Sequence, residues 1–217
     1  MDTFSYLLGK KSSGGGGGSE RDWSQLGYSS EPPIINEDFE YSKWYYDEWT
    51  GTGNFQSDAW LVYAPLVDTS NITNFNNFFG GCRALMYVPK LNTSKGTSFK
   101  NMFTGCLCLA TAPKLDTSRA TDISYMFANC SNLTFLPVYN WSSVEESGKL
   151  YNIFQNSSTL NDESLDNVLK SCITAVNYSG AKTLSDLGIR KSYYPQSKIE
   201  SLPSYQAFLD AGWTTGY

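Results

Sequence analysis

Cysteine is the residue in this chain best equipped for chemistry, and its spacing raises the question of which kind. Cys82, Cys106 and Cys130 recur at one interval, inside phrases such as "MFTGC" and "MFANC", with Cys108 and Cys172 besides. Evenly spaced thiols suit a disulfide framework, a metal site or a column of packing groups. A framework fits poorly, because five cysteines are an odd set and three equivalent positions cannot pair evenly. A thiolate metal site needs ligands that converge on one point, whereas these run in a line, and no histidine is present to complete a set. The expectation is a structural column of Cys82, Cys106 and Cys130, each thiol against the next. The missing histidine also removes imidazole bases and His-dependent triads. Asp162/Glu163 and Glu145/Glu146 are paired carboxylates, but they are chain neighbours in capping or inserted segments, where such pairs are ordinarily solvated. No catalytic residue, metal or cofactor is expected, and the chain reads as a non-enzyme.

What positions these cysteines is a 24-residue repeat. Phe79, Phe103 and Phe127 share its register, as do Leu85, Leu109 and Leu133, and Pro89, Pro113 and Pro137. The triplets Asp68-Thr69-Ser70, Asn92-Thr93-Ser94 and Asp116-Thr117-Ser118 fall in line too. One period earlier stand Phe55, Leu61 and Pro65, with Asp58 at the cysteine position. Phe154 and Leu160 arrive three residues late, which marks an insertion in the last copy. Within a copy, Phe75, Phe78, Phe79 and Cys82 follow the i, i+3, i+4, i+7 spacing of a helix face. Gly81, Gly105 and Asn129 then suit the left-handed residue that closes a helix. A short extended piece and an Asp/Asn-Thr-Ser turn complete the copy. The fold class expected is an α/β solenoid of about four coils, each a short helix plus a short parallel strand, because one coil cannot bury its own apolar face.

The phrases "FFGGCRALMYVPKLNTS", "MFTGCLCLATAPKLDTS" and "MFANCSNLTFLPVYNWS" resemble the BspA-type leucine-rich repeat family over roughly residues 55 to 160. That resemblance implies a leucine-rich-repeat solenoid of the kind found in bacterial surface adhesins and phage-encoded proteins, acting by binding or building rather than by catalysis. The ending "AFLDAGWTTGY" is similar to the C-termini of phage-encoded members. The opening "FSYLLGKKSSGGGGG" is similar to those of phage structural proteins.

The two ends differ from the repeat. Residues 1–36 read as an extended anchoring arm, in which Phe4, Tyr6, Leu7 and Leu8 dock into a partner and the glycine run gives reach. Residues 37–57, with the acidic and aromatic "EDFEYSKWYYDEW", read as an N-terminal cap, 58–160 as the solenoid, and 161–217 as a helical C-terminal cap. In that cap Leu165, Val168, Leu169, Cys172 and Ile173 trace a helical stripe. "KTLSDLGI" reads as a short helix stopped by Gly188, and "SLPSYQAFLDAGW" as another capped by Ser201. A net charge of −5 without a basic cluster argues against nucleic acid and against an anionic membrane surface. No Sec-type leader is evident at the N-terminus, so synthesis and folding in a bacterial cytoplasm are expected.

Three functions from different classes fit. The first is a virion structural protein, present in many copies, with the arm on other virion proteins and the repeat turned to a host-surface glycan or protein. It has a variant that only cements the particle. The second is a cell-surface adhesin, and the third a hydrolase; the first is favoured. The candidate binding face is the set of columns between the inward leucines: Tyr63, Tyr87, Thr111 and Phe135, beside Lys90, Lys114 and Val138. An opposing view has Tyr87 and Phe135 packing against flanking segments.

Overall fold

The computed structural model describes residues 54–64 and 67–217. The anchoring arm, with Phe4, Tyr6, Leu7 and Leu8, and nearly all of the expected N-terminal cap lie outside the described residues. We count coils by the register, coil 1 ending at residue 67 and coils 2 to 5 covering 68–91, 92–115, 116–139 and 140–161.

Residues one repeat apart lie one above another. Parallel bridges join Tyr63 to Tyr87, Asn74 to Ser98, Ser98 to Asp122 and Thr111 to Phe135. Each coil has a turn side and an opposite side of short extended segments. The turn side differs from the short helix that the apolar spacing suggests. Phe78, Gly80 and Cys82 donate their N–H groups to the carbonyls three residues back (Phe75, Asn77 and Phe79) at 3.1, 2.9 and 3.1 Å. The alternate groups of Phe75, Asn77, Phe79 and Gly81 donate instead to Ser98, Lys100, Met102 and Thr104 of the next coil, at 2.7–3.0 Å. An α-helix keeps its N–H groups within its own segment and has none to spare for a neighbour. Left-handed residues four positions apart make the difference, Asn77 at φ 55 and Gly81 at φ 81. Each closes a tight turn and points alternate peptides along the stack. A four-residue turn repeat sends side chains inward at the same intervals as a helix face, so spacing alone does not separate the two.

The core is a set of spokes repeated from coil to coil. Phe55, Phe79, Phe103, Phe127 and Phe154 form a continuous column with successive centroids 5.4, 5.5, 5.4 and 6.1 Å apart and planes within 12° of parallel. Beside it Phe75 stacks on Phe99 at 5.2 Å. Leu61, Leu85, Leu109, Leu133 and Leu160 line the opposite wall.

Three α-helices are described: α1 (Asp162–Thr174), α2 (Gln196–Glu200) and α3 (Tyr205–Asp210). α1 begins at Asn161, whose Oδ1 accepts from the Ser164 N–H at 2.8 Å, with Asp162 and Glu163 in the first turn. Its apolar stripe of Leu165, Val168, Leu169 and Cys172 is buried. The segment expected as a helix before Gly188 is instead a further rung on the turn side. Asn152 and Phe154 donate to the Asp186 and Leu187 carbonyls at 2.7 and 2.8 Å. Gly188 is required there, since a Cβ would sit 2.6 Å from the Gln155 nitrogen and φ is 86°. Residues 214–215 add one more rung, accepting from Leu184 and Ser185 at 3.0 and 3.1 Å. The expected helix after Ser201 begins later, at Tyr205, and α2 precedes it.

Asp166 ties the cap together. Its carboxylate pairs with Lys170 at 2.8 Å and accepts from the Ser204 N–H at 2.8 Å, with its side chain only 8% exposed. Burial alone would raise this carboxyl, but the Lys170 and Ser204 hydrogen bonds outweigh it and hold it below the ordinary carboxylate range. A folded-state value below the unfolded one gives stability that is present above the unfolded pKa and lost as pH falls through the folded one. Asp166→Asn is therefore less stable than wild type at pH 7, with the gap closing as urea midpoints are followed below the ordinary carboxylate pKa. A gap unchanged from neutral to strongly acid pH contradicts the assignment.

Candidate functional site

The sequence-derived face assembles on the strand side. Tyr63 pairs with Tyr87, and Ala64 donates to the Tyr87 carbonyl at 3.0 Å. Thr111 pairs with Phe135, and Ala112 donates to the Phe135 carbonyl at 2.9 Å. Tyr63, Tyr87 and Phe135 are half-buried, while Thr111, Lys90 and Lys114 are exposed, as is Val138. Partial burial raises the Tyr63 phenol above its usual value, so it stays a neutral hydrogen-bonding group. Three exposed apolar side chains that the sequence reasoning missed stand in three different columns of the register. Trp60 is 81% exposed, with Met86 and Leu107 each exposed by about two fifths on the following coils. Register places Trp60 over Ala84 and Cys108, positions that face outward.

The cysteine column is buried, and it does more than fill space. Cys82, Cys106 and Cys130 donate S–H groups to the carbonyls of Phe55, Phe79 and Phe103 in the preceding coils, at 3.0, 3.2 and 3.1 Å. Ser157 takes the position in coil 5 and donates to Phe127 at 2.7 Å. Burial pushes the Cys82 and Cys130 thiols up to about 12 and Cys106 higher still, so all three stay protonated and unreactive.

Two further features bind the coils together. In each Asp/Asn-Thr-Ser triplet the acidic or amide oxygen accepts from the serine N–H, as in Asp68 to Ser70 at 2.9 Å, which is the turn the sequence suggests. The threonine acts across coils. Thr69, Thr93 and Thr117 are buried, and each hydroxyl both donates to the backbone carbonyl and accepts from the N–H of Asn92, Asp116 or Asn140. Then α1 closes the open edge of coil 4 and the start of coil 5 with side chains. Ser164 Oγ donates to the Thr134 carbonyl and accepts from Leu136 N–H, and Asn167 Nδ2 donates to the Leu136 carbonyl. The hydroxyls of Ser171 and Thr174 accept from Tyr139 and Trp141 N–H at 2.9 and 2.7 Å. A polar stripe at 164, 167, 171 and 174 is the signal that finds this seal, and it keeps the edge from pairing with another chain.

Stacked 24-residue coils, held together by threonine and phenylalanine columns, define a repeat protein. Residues 54–168 match the family described as "Mycoplasma protein of unknown function, DUF285", and the chain belongs to that family. The match is consistent with BspA-type repeats. No curated protein and no solved structure matches the chain.

Proposed function

We propose that the chain is a non-enzymatic bacteriophage virion protein, a BspA-type leucine-rich-repeat solenoid that displays its strand side for host-surface binding. The observation that carries the binding half is the half-buried aromatic column of the strand side, in which Tyr63 pairs with Tyr87 and Thr111 with Phe135, while Lys90 and Lys114 are exposed three residues beyond Tyr87 and Thr111. Aromatic and apolar groups gathered beside cations form a surface suited to recognition rather than to solvent alone. The docking half rests on the sequence: the apolar peptide with Phe4, Tyr6, Leu7 and Leu8, followed by a glycine run, suits a tethered anchor on another virion protein. On this view the protein is made in the host cytoplasm, is carried in many copies on the particle, and needs neither nucleic acid nor membrane. Tyr87→Ala combined with Phe135→Ala tests the face. The double variant is expected to keep a cooperative unfolding transition and to reduce adsorption of particles to host cells; adsorption at the wild-type rate by a folded variant removes the assignment.

A further inference from the structure

The turn side carries a feature that the strand-side reading does not use. The first left-handed position of the turn string is Asn77 in coil 2, Asn101 in coil 3 and Asn152 in coil 5, with φ between 53 and 56. Coil 4 places Tyr125 there, at φ 58. Asparagine tolerates this conformation, whereas a bulky aromatic residue is strained in it. Core packing does not ask for the ring, since Tyr125 is partly exposed and its ring contact is with Tyr151 of coil 5, edge-on at 5.8 Å. Tyr151 is 44% exposed, in a column that elsewhere holds Asn76, Lys100 and Ser124. One column thus carries its tyrosine in coil 4 and the neighbouring column in coil 5, which brings the two rings together across the coils.

The tyrosine pair is the middle of three cross-coil pairs in a row. Before it, Lys149 Nζ meets Asp122 Oδ2 at 3.0 Å. After it, Asn156 Nδ2 donates to Asn129 Oδ1 at 2.9 Å, both residues being exposed. Met126 and Phe127 between them are buried, whereas Tyr151, Asn129 and Asn156 are exposed and Asp122, Tyr125 and Lys149 partly so, Asp122 Oδ1 also accepting from Ser124. We propose that this row, Asp122–Lys149, Tyr125–Tyr151 and Asn129–Asn156, is a second binding site, for a neutral glycan. An aromatic face packs on the C–H face of a pyranose ring, and planar amide and carboxylate groups on either side match its hydroxyls. A protein partner would call for a broader apolar core than two tyrosines. Strain held where a ring is exposed is the pattern expected of a site kept for binding.

Saturation-transfer NMR of the full chain with cellotetraose, maltotetraose, mannotetraose and tetra-N-acetylchitotetraose tests the site. At least one of these glycans binds, and Tyr125→Asn and Tyr151→Ser each weaken it by about tenfold or more. Lys191→Ala, an exposed position outside both surfaces, leaves it unchanged. Tyr125→Asn also raises the thermal midpoint, because asparagine is at ease where tyrosine is strained. The proposal is overturned if none of the four binds, if binding survives both turn-side substitutions, or if Tyr125→Asn lowers the midpoint and so marks the ring as a packing group.

Discussion

Phe103→Ala costs about 3–5 kcal/mol of unfolding free energy, the range for removing a buried phenylalanine. Its ring is fully buried and lies flat between Phe79 at 5.5 Å and Phe127 at 5.4 Å. The loss is at the high end of that range because the cavity opens in the middle of a column. Coils 2 and 4 cannot close on it without breaking the backbone bonds of Phe103 and Gly105 to Met126 and Ala128, at 2.9 and 2.8 Å. Each stacked neighbour also loses an aromatic contact worth about 0.5–1.5 kcal/mol. Urea unfolding followed by tryptophan fluorescence measures the change. A loss below about 1 kcal/mol would mean that the column does not hold the coils together.

Thr93→Val costs about 2–4 kcal/mol, although the two side chains are nearly the same shape. Thr93 is 2% exposed, and its hydroxyl donates to the Asp116 carbonyl at 3.1 Å and accepts from the Asp116 N–H at 2.8 Å. Valine would leave both backbone groups without their partner in a partly buried site, so that each costs less than the full desolvation penalty of about 1–3 kcal/mol. Thr93→Ser keeps the hydroxyl and loses only a methyl group, a cost of about 1 kcal/mol. The order of the two variants is the sharper result. Paired urea curves in which serine is as damaging as valine would show that packing, not the cross-coil hydrogen bonds, joins coil 3 to coil 4.

The sequence carries the register openly because each coil uses the same inward spokes. Phe79, Cys106 and Leu133 need only be counted to be placed. It is less informative about the backbone, since left-handed Asn77 and Gly81 produce the spacing of a helix face without a helix. The threonine staple stands in plain view in the Asp/Asn-Thr-Ser triplets, yet a local turn accounts for those residue types equally well. Only the stack reveals that Thr93 reaches Asp116 at the far side of a repeat. The candidate column is placed by the same register: Tyr63, Tyr87, Thr111 and Phe135 each follow an inward leucine by two residues, the spacing at which strand side chains share a face, which is why three of the four are half-buried. Exposure at Trp60 and Met86 depends on what covers them in space, which residue type does not reveal. At Tyr125 the departure from its column is visible in the sequence, but its meaning emerges only when φ shows that asparagine is the natural occupant.

The cysteines that first suggest chemistry serve as hydrogen-bonded spokes, and Ser157 does the same work in coil 5. On the proposed reading, function belongs to what the stack carries outward and to the arm that precedes it. Quantitative mass spectrometry of purified phage particles, comparing the full chain with one lacking residues 1–18, tests this most directly. The full chain is expected in the particles at many copies, and the shortened chain is expected to remain folded and soluble in the lysate but to be lost from them. A full chain missing from wild-type particles, or a shortened chain incorporated at the same level, would contradict the account.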